Sequence, residues 1–215
     1  MATLNDLQNH FQELIRKGLE GSFFVKRVEA GDAAITALKG PSGLLEIPTG
    51  YQDVGILTKD QGLNWTREVG TSDTAGLGYS EPVRRDITTD VSGLQFTALE
   101  SKKQVFEMYE GIDLTGVTPD ANGNISWDKP DRPANPYYRG LALFKDGEGA
   151  DAVYFGKWGP RFQVTDRGEQ AWREEVELQY GMTANFYVDS AFGTSLRTLW
   201  AASPATLAKM GFAAA

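Results

Sequence analysis

Short strand-like segments separated by turn residues recur along this chain, and this pattern limits the fold more than any other feature. From residue 21 onward, segments such as "SFFVKRV", "GLNWTREV" and "GLQFTALES" are rich in β-branched and aromatic residues and are bounded by Gly, Pro, Ser and Asp. The segment "EEVELQYGMTANFYVD", 174–189, alternates apolar and polar residues most regularly. The pattern predicts a mainly β, antiparallel fold, either a sandwich or a barrel, with two or three helices.

Helical spacing appears in two places. In residues 3–18, Leu4, Leu7, Phe11, Leu14 and Ile15 recur as in an amphipathic helix, which either packs on its own domain or docks on a neighbouring subunit. The segment "KKQVFEMY", 102–109, predicts a short helix with Val105, Met108 and Tyr109 on one side. The tail "SPATLAKMGFAAA" predicts a weak final helix or an ordered arm.

The composition excludes several functional classes. The 215 residues carry a formal net charge of -8, so an acidic surface disfavours binding to nucleic acid or to anionic membranes. Cysteine is absent, which excludes disulfides, thiolate nucleophiles and cysteine metal sites. No apolar run has the length of a signal peptide or a transmembrane helix, so we expect the chain to fold in a cytoplasm.

Candidate chemistry is sparse. His10 is the only histidine, which disfavours serine–histidine machinery and histidine-rich metal sites. The segment "DANGNISWDKPD", 120–131, alternates oxygen ligands as a calcium loop does, but Ile125 stands where such a loop needs glycine. An Asx-stabilised turn is favoured there. We therefore predict no catalytic residue, no cofactor and no metal site.

A glycan-directed function remains as an alternative. Glu175 and Glu177 share a predicted strand face and form a pair of carboxylates of the kind that glycosidases use. Four tryptophans could supply a sugar-binding platform: Trp65, Trp127, Trp158 and Trp172. A carbohydrate-binding or glycoside-cleaving β-sandwich domain is therefore kept open.

The segment from Val69 to Gly111 predicts a loop, two strands and a helix in succession. The loop is "VGTSDTAGLGYSE", 69–81, which is small, polar and glycine-rich and is therefore predicted to be a long mobile hairpin loop. In 83–90, Asp86, Thr88 and Asp90 are predicted on the face opposite Val83 and Ile87. In 94–99, Gln95 and Thr97 are predicted opposite the apolar Leu94, Phe96 and Ala98.

These segments resemble a known family. "GYQDVGILTKDQGLNWTREV", then "EPVRRDI", then "LQFTALES" directly followed by "KKQVFEMYEG" resemble the major tail proteins (tail tube proteins) of long-tailed, non-contractile bacteriophages, those of actinobacterial hosts in particular. "YYRGLALFKDGEGADAVYFGKW" and the segment from 174 onward resemble the second half of that family. The resemblance covers about residues 45–200, so we divide the chain into an N-terminal helix and arm, 1–40, and a tail-tube β domain, 41–215.

The resemblance implies a structural, non-enzymatic protein whose six-fold rings stack into a hollow tail tube. One sheet face packs on the subunit's own core and short helix, and the other lines a lumen through which DNA passes without specific binding. The residues expected to face the lumen are Asp86, Thr88, Asp90, Gln95, Thr97, Glu175 and Glu177. The residues expected to form a ring-stacking loop are Gly70, Thr71, Ser72, Asp73, Thr74, Ala75, Gly76, Leu77, Gly78 and Tyr79.

The same resemblance implies the partners and the location. They are further copies of the chain, a tape-measure protein, a tail terminator and tail-tip proteins, with no membrane. The expected location is the virion tail, after assembly in the host cytoplasm. A head–tail connector or tail-terminator protein, which forms a single ring, is a further alternative.

Overall fold

An eight-stranded antiparallel sheet makes up most of the fold in the computed structural model, which describes residues 8 and 10–212. The strands are β1 (Glu20–Arg27), β2 (Gln52–Asp53), β3 (Leu63–Ala75), β4 (Pro82–Ala98), β5 (Tyr138–Asp146), β6 (Val153–Arg167), β7 (Tyr180–Phe186) and β8 (Arg197–Ala201). Their order in the sheet is β2-β1-β5-β6-β7-β4-β3, and β8 pairs with β6. The predicted mainly β fold is confirmed.

The sheet curls around its main core. Phe23 on β1 lies edge-on to Phe96 on β4, with the ring centroids 5.1 Å apart, although three strands separate β1 from β4 in the sheet order. Phe162 on β6 packs 5.9 Å from the same Phe23 ring. One face of the sheet therefore closes on itself and buries its aromatic side chains, as expected of a sandwich or barrel.

The short helix predicted at 102–109 is present as α1 (Lys103–Glu110). Val105 and Met108 are fully buried against the main core, and Tyr109 packs edge-on against Tyr180 of β7. Gly111 ends the helix with a left-handed φ of 68°, a conformation that favours glycine at this position. The packed helix of the sequence prediction is therefore confirmed, and a second helix, α2 (Pro204–Lys209), lies near the C-terminus.

A smaller core lies on the other face of the sheet, where Ile35 and Leu38 cover Leu141, Trp158 and Leu199. β1 also pairs with β5 along its whole length, from Glu20 to Arg27. Residues 20–38 are therefore part of the same body as the rest of the chain. Elements on both sides of residue 40 thus contribute to the same sheet and to the smaller core, and the division of the chain at that residue stays a prediction.

The helix predicted over 3–18 is absent from residues 10–18. These residues contain one 3₁₀ turn, Gln12–Leu14, and then an extended segment. Arg16 lies 3.5 Å from Asp146, and the amide of Leu19 donates to the carbonyl of Lys145 at 3.2 Å. These contacts with the end of β5 hold the chain extended and override its helical spacing. The rest of that prediction lies outside the described residues, apart from residue 8, which is not helical.

A buried ion cluster joins two separate loops, around Asp32 and Asp189, to β5 and β6. The Arg139 side chain is 4% exposed, and it donates to Asp32 at 2.7 Å, to Asp189 at 2.9 Å and to the carbonyl of Pro160 at 2.7 Å. Lys26 donates to the other oxygen of Asp32 at 2.6 Å. Burial alone would raise the pKa of Asp32, but the hydrogen bonds from Lys26 and Arg139 outweigh it and lower this pKa to about 2.

We expect Arg139→Leu to lower the free energy of unfolding by about 3–5 kcal/mol, because it leaves the buried carboxylates of Asp32 and Asp189 without their shared cation. Urea denaturation followed by tryptophan fluorescence measures the loss. Arg67→Leu is the matched control, since it breaks an exposed pair with Asp90 and should cost about 1 kcal/mol or less. Equal losses in both variants would contradict the structural role of the cluster.

We also expect acid to remove the stabilisation that Asp32 provides. Its pKa in the folded state, about 2, lies below the ordinary value of 3.8, so the stabilisation is complete above about pH 4. It is lost as the pH falls from about 4 through 2. Urea midpoints measured across this range should fall less steeply for Asp32→Asn than for the unmodified chain, and Glu29→Gln should follow the unmodified chain. If the urea midpoint of Asp32→Asn fell as steeply with pH as that of the unmodified chain, Asp32 would not be the source of the acid-sensitive stabilisation.

Candidate assembly surfaces

A two-stranded arm extends from the body of the sheet. β4 is 17 residues long, but it pairs with β7 only from Gly93 to Ala98. Before Gly93 its one neighbour is β3, and the two strands continue together to Ala75 and Pro82. We call residues 66–92 the β3–β4 arm. About ten residues of extended strand from Arg67 to its tip give it a length of about 30 Å.

The predicted loop 69–81 is mostly strand. β3 continues through Gly70, Thr71, Ser72, Asp73 and Thr74 to Ala75, so only residues 76–81 connect the strands. Each of these β3 residues has a paired partner on β4, for example Ser72 with Asp86. The small polar composition suggested a loop, but cross-strand pairing decides the conformation here.

Two exposed ion pairs join the strands of the arm, and a third lies within β4. Arg67 makes two parallel hydrogen bonds to Asp90, at 2.8 and 2.6 Å, and Arg85 makes two to Asp73, at 2.7 and 2.9 Å. Arg84 donates to Asp86 at 2.9 Å on the same strand. The hydrogen bond from Arg67 lowers the pKa of Asp90, and the one from Arg85 lowers the pKa of Asp73. Two of the residues predicted to repel DNA, Asp86 and Asp90, are thus each paired with an arginine.

A bulge on β4 changes which arm residues share a face. Val69 pairs with Asp90 and Gly70 with Thr89, but Thr71 pairs with Ile87, which leaves Thr88 as the extra residue. Asp90 therefore lies on the face that carries Leu94 and Phe96 in the body, whereas Asp86 lies on the opposite face. The sequence prediction placed Asp86, Thr88 and Asp90 together, and the bulge separates Asp86 from Asp90.

Apolar side chains on the arm are exposed. Val83 and Ile87, predicted to pack on the short helix, are instead 53% and 69% exposed, because the arm has left the body before it reaches them. At the tip, Leu77 is fully exposed and Tyr79 is 72% exposed. A two-stranded ribbon has no second layer with which to bury such side chains, so the arm is a surface suited to contact with another molecule.

The body carries a neutral polar face beside the base of the arm. In the predicted lumen set, Gln95 lies on this face and is half-buried, while Thr97 is buried and bonded to Gln61. Gln95 pairs with Asn64 on one side and Thr183 on the other, and Asn185 pairs with Gln163. We call this set the polar stripe: Asn64, Thr66, Gln95, Gln163, Thr183 and Asn185. The regular alternation of "YGMTANF" is the sequence signal for the β7 part of it.

Glu175 and Glu177 do not lie on a strand. β7 begins at Tyr180, and Glu175 lies in a turn closed by a bridge between Arg173 and Val176. Both carboxylates are exposed. The predicted strand is cut short because the last β4 residue, Ala98, pairs with Tyr180, so no neighbour continues beyond it.

A cleft opens where the curled sheet fails to close, between β3 and the edge formed by β6 and β8. It has a volume of about 430 Å³ and is lined by Leu63, Trp65, Phe144, Phe155, Lys157 and Trp200, among others. Phe144, Phe155 and Trp200 stack in a row, with centroids 5.7 and 5.2 Å apart. A second cavity of about 380 Å³ continues from it to Arg67 and Asp90 at the base of the arm. We call the two together the seam cleft.

The residues considered for other chemistry are dispersed or engaged. Trp158 is fully buried, Trp65 stacks on Phe186, and Trp127 packs on Phe106, so these side chains do not form one platform. Asp120 accepts hydrogen bonds from the amides of Asn122 and Asn124, which is the predicted Asx turn. Within residues 8 and 10–212, no cluster of His, Cys, Asp or Glu could hold a metal ion, and no helix is long and apolar enough to cross a membrane.

Comparison with known proteins identifies the family of this chain. A family model described as "Phage tail tube protein" matches residues 15–204. A solved structure titled "Cryo-EM structure of the anti-feeding prophage cap (AFP tube terminating cap)" is 11% identical with a TM-score of 0.40, covering 94% of this chain and 100% of that chain. That TM-score is too low to support a conclusion. Among curated proteins, none matches this chain.

The family match includes all eight strands, α1, the arm and the seam cleft. It therefore covers the whole sheet and both of its cores. The chain belongs to the phage tail tube protein family and is a structural protein of a phage tail.

Proposed function

We propose that this protein assembles into stacked hexameric rings that form the tail tube of a long-tailed, non-contractile phage, and that DNA passes through the tube during ejection. The observation that carries the proposal is the β3–β4 arm, which leaves the body for about 30 Å and exposes aliphatic side chains along its length. Such an arm is poorly suited to a monomer and well suited to a subunit that neighbours cover.

The sheet edges support ring closure. β2 ends one edge with only two residues, whereas β3 ends the other with 13 residues whose outer side has no described partner strand. A long open edge pairs readily with another strand, and a closed ring of subunits removes such edges. In the proposed tube, the β3 edges and arms contact neighbouring copies and contribute strands to a wall around the channel.

We assign the channel surface to the polar stripe and to the arm face that continues it through Asp86 and Thr89. Amides and hydroxyls hydrate such a surface, and the six residues of the stripe include no lysine or arginine to hold a phosphate. The arm face that continues it carries Arg84, which is paired with Asp86. The arm as a whole has three arginines and five carboxylates. Its small negative excess would repel DNA weakly, so the channel would be hydrated and mildly repulsive to DNA.

The remaining parts of the assignment rest on the family alone. We propose that the tube contacts a tape-measure protein inside and that a tail terminator and tail-tip proteins close its two ends. The proposed location is the virion tail, with assembly in the host cytoplasm. No enzymatic step is required for this role.

We expect the purified protein, concentrated and aged for days, to form hollow tubes of constant diameter in negative-stain electron microscopy. A variant in which Asn-Gly replaces residues 70–89 should remain folded and form no tubes. The replacement joins Val69 to Asp90, which are paired across the strands, by a two-residue hairpin turn, so the body keeps its register. An unchanged urea midpoint is the control for folding. Tubes formed by the shortened variant would overturn the role of the arm.

We expect lysine on the polar stripe to make the channel retain DNA. Tubes of Asn64→Lys/Thr183→Lys should bind short fluorescent DNA, and the binding should weaken steeply with salt, because each lysine adds phosphate contacts. Ser126→Lys, in an exposed loop, is the control and should bind far less. Equal binding by stripe and control variants would place the stripe outside the channel.

A further inference from the structure

We propose that the arm tip of one subunit docks in the seam cleft of another copy, in the next ring of the tube. This inference rests on the proposed function, because it names the contact by which rings would stack. It commits to a second copy of this chain as the occupant of the cleft.

The first support is apolar complementarity. The cleft presents a stacked row of aromatic rings, and its outer member, Trp200, is 42% exposed. The tip presents Leu77, which is fully exposed, and Tyr79, which is largely exposed. A cavity of about 430 Å³ is within the range of about 300–1,000 Å³ that binds drug-sized groups, so it has room for the two side chains.

The second support is charge complementarity. Lys157 lies in the cleft over the ring of Trp65, 4.6 Å from its centroid, and has no carboxylate within 4.0 Å among the described residues. Burial lowers the pKa of Lys157, which means that its charge is held at a cost. Glu81, two residues beyond Tyr79, likewise has no cationic partner among the described residues. Docking would bring this free carboxylate to the cleft with the tip.

The third support is the direction in which the arm runs relative to the cleft of its own chain. The cleft begins beside Gln61 and Leu63 at the start of β3, and its second part ends at Arg67, where the arm begins. The arm then runs about 30 Å away from its own cleft as paired strand. A tip on such a ribbon cannot return to the cleft of its own chain, so a tip that docks in the cleft comes from another copy. Two different patches in contact form a heterologous interface, which builds an open stack when its rotation does not close into a ring, and the open stack is the arrangement proposed here.

Cysteine cross-linking tests the contact directly, because the chain has no cysteine of its own. Tyr79→Cys/Thr198→Cys places one thiol on the tip and one on the exposed cleft wall. Oxidation of assembled protein should give a ladder of covalent multimers on a non-reducing gel. Each single variant should give no ladder, and neither should the control Tyr79→Cys/Ser126→Cys, whose second thiol lies in a distant loop.

Electron microscopy of the same samples separates the two proposals. Tubes with a ladder support the inference, and tubes without a ladder overturn the docking site while the proposed function stands. Absence of tubes from the unmodified chain under the same conditions would overturn both.

Exchanging the charges of Glu81 and Lys157 gives a second test of the docking contact. Glu81→Lys and Lys157→Glu should each raise the critical concentration for tube formation at least tenfold, as expected for an unpaired charge in a desolvated contact. The double variant should return to within about threefold of the unmodified chain. Glu68→Lys, which reverses another arm carboxylate without a described partner, is the control. No recovery in a folded double variant would count against the pairing of Glu81 with Lys157.

Discussion

The structure depends on strand β4, which is buried in the body at its C-terminal end and exposed in the arm at its N-terminal end. The C-terminal part of β4 contributes Leu94, Phe96 and Ala98 to the main core, between β7 and β3. Its N-terminal part has a single neighbour and no core. A core strand is held by burial on the order of 25 cal/mol for each Å² of apolar surface, whereas a lone ribbon has little burial to stabilise it. The arm is thus anchored at one end by the body and is held at the other by strand pairing and exposed ion pairs, to which the proposed contacts with further copies would add.

This division also explains where the charges lie. In the body, Arg139 is buried and satisfied by two carboxylates and a carbonyl, and it ties the loops around Asp32 and Asp189 to β5. On the arm, the ion pairs of Arg67 and Arg85 are exposed and each contributes little to stability. The buried cluster fixes one shape for the body. The exposed pairs leave the arm free to adjust when a neighbour covers it.

Much of the fold follows from local patterns in the sequence. The helical spacing of Val105 and Met108 predicts a helix at 102–109, and the structure has it at Lys103–Glu110. The period-two alternation of 174–189 puts Tyr180 and Met182 on one face, and both are buried. The predictions that were wrong concern segments whose conformation depends on pairing with residues far away in the sequence. The segment from Gly70 to Ala75 has a loop-like composition, and only its pairing with β4 makes it a strand. The extra residue, Thr88, moves the β4 residues before it to the opposite face of the arm. Strand pairing determines where such a bulge occurs, and the alternation of apolar and polar residues does not reveal it.

The predicted channel surface was also affected by contacts that the sequence does not reveal. Acidic residues were favoured there because a sequence does not reveal which carboxylates are paired, and Asp86 and Asp90 each have an arginine beside them. The hydrated surface beside them is the neutral stripe around Gln95 and Thr183. DNA passage requires that phosphates find no strong partner, and neutrality meets that requirement as well as repulsion does. A neutral wall has a further advantage for a ring of identical subunits. A surface of dense negative charge would face its own copies across the channel and oppose closure, whereas amides and hydroxyls impose no such penalty.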